Sequence, residues 1–108
     1  MLISETKTIV VKQGTADKVV DRFSGEGIIE QSEGFIDLSV LVKESRKGND
    51  KVVVLIRWES EASWKQWEKS EAHINMHRQN RGKPKPDHIV DSSHDTYHVR
   101  GVKTASAN

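Results

Sequence analysis

The chain of 108 residues is 34% hydrophobic and 31% charged, the make-up of one folded domain with enough apolar material for a core. It has no cysteine, which excludes disulfides, thiolate zinc sites and cysteine nucleophiles, and its longest apolar run, Val52 to Ile56, is far short of the roughly 20 residues of a membrane helix. The net charge of +1, from 17 basic and 16 acidic residues, argues against a general nucleic-acid binder, and Met1 to Lys7 lacks the plan of a signal peptide, so no membrane partner and a cytoplasmic location are expected.

Ile3 to Val11 is rich in β-branched residues and stops before Gly14, which predicts a first strand. From Thr15 onward, Ala16, Val19, Val20 and Phe23 fall on one helical stripe, closed by Gly25 and Gly27. Ile36, Leu38, Val40 and Val42 alternate with polar residues as a half-buried strand, and Lys47-Gly48-Asn49-Asp50 turns the chain into a strand from Lys51 to Trp58. In that strand Val52-Val53-Val54-Leu55-Ile56 does not alternate, so both its faces need cover; helices supply one, and a second copy of the chain is the simplest candidate for the other.

Ser60 is placed to cap a helical region running to about Arg78, with Lys69-Ser70-Glu71 marking a bend and Ser70 starting a second short helix. The loop Gly82-Lys83-Pro84-Lys85-Pro86 ends it, because proline cannot continue a helix interior. Ile89 to Val102 reads as a weaker last strand, and Thr104 to Asn108 as a frayed tail. The order βαββαβ predicts a ferredoxin-like α+β fold with an antiparallel sheet. Its uncovered face is available to build a dimeric α/β barrel.

His73 and His77 are four apart and share a helix face, but Ile74 stands where a zinc peptidase needs its glutamate. They are therefore either plain surface histidines or, for one imidazole, an axial ligand to haem iron. Trp64 reads as core; Trp67 is core or a border to a flat apolar ligand. It precedes His77 by ten residues, roughly 15 Å along a straight helix, a distance that a bend at Ser70 shortens. Arg78, Arg81, Lys83 and Lys85 form either a solvated basic loop or an anion contact. A phosphate loop and a Gly-x-Ser-x-Gly nucleophile are both absent.

Several groups of residues are then recognisable together: Gly14-Thr15-Ala16, Arg22-Phe23, Glu33-Gly34-Phe35, Trp58, and Trp67-x-Lys69-Ser70 followed by His77. This set resembles the IsdG-type haem-degrading monooxygenases of the antibiotic-biosynthesis-monooxygenase superfamily. Ile29-Glu30, Arg57-Trp58-Glu59-Ser60-Glu61 and the Gly82 to His88 loop look most like the HmoA-type branch.

The resemblance implies one such domain over residues 1–103, working as a homodimer, with haem as both substrate and cofactor. Dioxygen and electrons from an external reductant or reductase would open the ring and free iron. His77 would be the proximal iron ligand, Trp67 would ruffle the porphyrin from the distal side, and Phe23 would line the pocket. The family's asparagine donor in the first strand, seven residues before the glycine matching Gly14, is here Lys7, whose ammonium donates as a mobile point charge rather than a fixed amide. That departure keeps two alternatives open, a haem carrier without turnover and a cofactor-independent monooxygenase acting on a small quinol.

Overall fold

The computed structural model describes residues 2–83 and 85–106; Met1, Pro84 of the proline loop, and Ala107 and Asn108 of the tail lie outside the described residues. The elements are β1 (Ile3–Val11), α1 (Ala16–Ser24), a 3-10 turn (Ile29–Gln31), β2 (Phe35–Lys43), β3 (Asp50–Trp58), α2 (Glu61–Lys69), α3 (Glu71–Asn80) and β4 (Ile89–His98). The strands form one antiparallel sheet in the order β2-β3-β1-β4. This is the ferredoxin-like α+β fold, reached because each helix returns the chain to a strand that is not the neighbour of the one it left.

Register sorts the side chains by face. Ile3, Glu5, Lys7, Ile9 and Val11 pair with Trp58, Ile56, Val54, Val52 and Asp50, and all of these look toward the helices. Two buried clusters form on that side: Ile3, Val54, Ile56, Trp58 and Trp67, and, at the other end, Ile9, Val11, Ala16, Val19 and Val52. Each such side chain taken fully from water contributes about 1.5–3 kcal/mol before chain entropy is subtracted. On the opposite face Val53 and Leu55 are half-buried, and Leu41 and Tyr97 are exposed.

Two expectations need correction, and one element goes beyond them. The last strand ends at His98 rather than Val102, because its partner β1 begins at Ile3, opposite His98; past it only the Val99 N–H reaches Leu2 O, at 2.9 Å. The segment Ile29–Gln31 is a 3-10 turn that hydrophobic periodicity does not reveal. Asp50 is not a turn residue: it opens β3 and is buried, accepting hydrogen bonds from Gly14 N at 2.9 Å and Ser45 N at 2.8 Å.

Those two amide donors, Ser45 first and then Gly14, hold the Asp50 carboxyl below the usual carboxylate range. Its folded pKa therefore lies under its unfolded one, so its contribution is present above the unfolded value and lost as pH falls through the folded one. Asp50→Asn should lower stability at pH 7 and flatten the acid limb of a pH series of thermal melts; an unchanged acid limb would refute this.

Gly34 sits at φ +82°, and an added Cβ would lie 2.0 Å from Ser63 Oγ. Gly34→Ala should cost about 2–4 kcal/mol, read from urea unfolding, combining backbone strain with overpacking. Ser63→Gly in the same chain should recover the overpacking share and leave the rest.

Candidate functional site

The site is organised by Ser70, which ends one helix and starts the next. Its N–H and its hydroxyl both donate to Trp67 O, at 3.0 and 2.7 Å, and its Oγ accepts from His73 N at 3.2 Å. An extended residue (φ −68°, ψ 150°) between two helical ones turns α3 back on α2. Ser60 caps α2 in the same way, accepting from Ser63 N at 3.1 Å.

The bend brings Trp67 and His73 to 5.2 Å between ring centroids, and His73 in turn packs edge-on to His77 at 4.4 Å. Trp67 and His77 are thus drawn together, with His73 standing between them. Trp67 is buried at 6% exposure and stacks on the fully buried Trp58, 6.4 Å away at an interplanar angle of 29°. Its other contact with open space is a cavity of about 190 Å³ lined by Ser32, Glu33, Ser63, Gln66 and Ser70, whose walls include neither His77, Lys7 nor Phe23. Trp64 is half-buried against the first cluster, and its indole N–H has no partner among the described residues.

His77 is exposed, with Nε2 3.1 Å from His73 Nε2. His73 Nδ1 lies 3.1 Å from the Glu68 carbonyl, which can only accept, so Nδ1 carries a proton. In a neutral His73 the Nε2 atom then accepts, and His77 Nε2–H donates to it. Partial desolvation, then the charges of His73 and Lys7, push the His77 pKa below the ordinary imidazole range, with Glu68 opposing them. The lowered pKa favours the neutral imidazole, the form that binds metals.

Across from α3, Lys7 is half-buried on β1 with Nζ 5.8 Å from the centre of the Phe23 ring, which Arg22 also approaches, at 5.3 Å. Phe23 is half-buried and packs against both clusters. Arg78, Arg81, Lys83 and Lys85 are exposed, and Lys85 Nζ donates to Val90 O at 3.2 Å.

Sequence reasoning missed a second feature of this face. Glu5 is buried, its Oε1 accepting from Trp58 Nε1 and its Oε2 lying against His94 Nε2, both at 2.9 Å. The available signal was the alternation itself, which sets a carboxylate between Ile3 and Ile9 on the core side of β1.

A four-stranded antiparallel sheet in the order β2-β3-β1-β4, with α2 and α3 meeting at the Ser70 bend, defines a ferredoxin-like α+β protein. The chain belongs to the antibiotic biosynthesis monooxygenase family, which residues 3–79 match. It is 56% identical over 104 residues, 96% of each chain, to the "Heme-degrading monooxygenase HmoA" of Bacillus subtilis (strain 168). A crystal structure from Bacillus cereus assigned to the same family shares 56% identity over the whole of both chains, with a TM-score of 0.87. The heme-degrader MhuD of Mycobacterium tuberculosis, solved with two hemes in its active site, shares the fold at 17% identity, covering 94% of this chain and 99% of its own, with a TM-score of 0.66.

Proposed function

We propose that this chain is a haem-degrading monooxygenase that takes haem as substrate and cofactor and opens its ring with dioxygen and an external reductant, releasing iron. When bound, haem supplies the oxygen chemistry; the protein supplies position, charge and shape. The observation that carries this reading is the exposed His77 packed on the Trp67–His73 stack. The residues fit the group: an imidazole ligand on one side, an aromatic wall in Phe23, and a cation in Lys7 able to donate a hydrogen bond.

In this reading His77 would hold the iron through Nε2, in place of its contact with His73. Trp67 would border the macrocycle once His73 moved aside from the indole. An indole that is to distort a ring must not yield, and Trp58 behind it provides the backing. Domain, location and assembly follow the same reading: one domain to about residue 103, in the cytoplasm, and a homodimer joined through the sheet face that carries Val10, Leu41, Val53 and Leu55.

Hemin titration into the purified protein should give a sharp Soret band that bleaches when ascorbate is added in air. A stable band would favour the haem-carrier reading, which Lys7 at the asparagine position motivates. A spectrum that hemin leaves unchanged would favour a cofactor-independent oxygenase. Sedimentation should give a mass twice the 12.2 kDa of one chain.

A further inference from the structure

We propose that His94, oriented by the buried carboxylate of Glu5, is the acid–base residue that supplies protons to the reaction from the sheet side of the site. This rests on the monooxygenase reading above.

His94 stands directly opposite Lys7 in the β1–β4 ladder, so the two side chains leave the same face of the sheet as neighbours, about 5 Å apart at Cβ. The same face carries Glu5 one pair along, with its side chain 3% exposed, while the His94 side chain is 43% exposed. Both carboxylate oxygens are engaged, one by the Trp58 indole and one by His94. A carboxylate accepting here requires the proton on His94 Nε2, which leaves Nδ1 as the atom free to take up or release a proton. β4 lies at the sheet edge and is exposed along most of its length, so solvent can recharge the ring.

This geometry is that of a carboxylate–imidazole pair, in which the acid fixes the tautomer and stabilises the imidazolium.

The chemistry creates the demand. A monooxygenase that draws on an external reductant puts one oxygen atom of dioxygen into the substrate and sends the other to water. Each such event consumes two electrons, from the reductant, and two protons. His77 is committed to iron in this reading, and among the side chain types on this face only an imidazole changes charge near neutrality. In this role His94 would pass the proton on Nδ1 toward the reacting oxygen and regain one from solvent, with Glu5 holding Nε2–H throughout. His98, paired with Ile3 on the same face, lacks a carboxylate partner among the described residues.

The test begins on the free protein. Nitrogen-15 spectra should show neutral His94 as the Nε2–H tautomer, and Glu5→Gln should mix the tautomers. His94→Gln should bind hemin within threefold of the parent by Soret titration, yet bleach it in air about 100-fold more slowly. Added imidazole should restore part of that rate, a response that a structural role of His94 would not produce. A His94→Gln protein that turns haem over within threefold of the parent overturns the proposal, as does a loss that follows haem affinity, or an Nδ1–H tautomer in the free protein. A parent that holds haem without bleaching it overturns the monooxygenase reading and this one with it, and that failure is visible before any variant is made.

Discussion

Replacing His77 by alanine will weaken hemin binding by more than about 100-fold, beyond what loss of a supporting residue around a metal ligand costs, and will abolish ring opening. His77 is exposed near the end of α3 and alanine is the best helix former, so the variant should melt within a few degrees of the parent. The separation of binding from stability is what makes the result readable: Soret titration reports the first and thermal melting the second. A His77→Ala protein that binds and bleaches haem like the parent would remove the imidazole from the mechanism.

The largest effect on stability should come from Trp58. It is fully buried, stacks on Trp67, meets Phe35 edge-on with centroids 5.7 Å apart, and donates its indole N–H to Glu5. Trp58→Ala should cost about 3–5 kcal/mol through the cavity it leaves. Against a total of about 5–15 kcal/mol for a typical domain, that is enough to leave much of the protein unfolded on mild heating. Trp58→Phe keeps most of the volume but takes one donor from a buried carboxylate, and should cost about 1–3 kcal/mol. Urea unfolding of both variants checks the order; a Trp58→Phe protein as stable as the parent would mean that the hydrogen bond contributes nothing.

Much of this architecture was legible from residue types and spacing. β-branched density placed β1 at its observed bounds, and two serines at capping positions placed both later helices, because a short hydroxyl satisfies amides that a helix start leaves open. The end of β4 was not legible, because a strand stops where its partner stops, and that depends on the sheet order. Lys7, Phe23, Trp67 and His77 were singled out as site residues through the family resemblance, and nothing in spacing alone predicted that His73 would stand between the last two. Asp50 and Glu5 were missed for a shared reason: their partners are 36 and 53 residues away in sequence for Gly14 and Trp58, so only the fold brings the donors to them.

His77, His73, Trp67, Trp58, Glu5 and His94 form a single file through the molecule, each against the next, from the outer helix to the edge strand. Its two ends are solvent-facing and its middle is dry. Changes at the ends are therefore not independent of one another once the middle is altered, and substitutions paired across Trp58 should give free energies that fail to sum. An engineer wishing to retune either imidazole alone inherits the whole file.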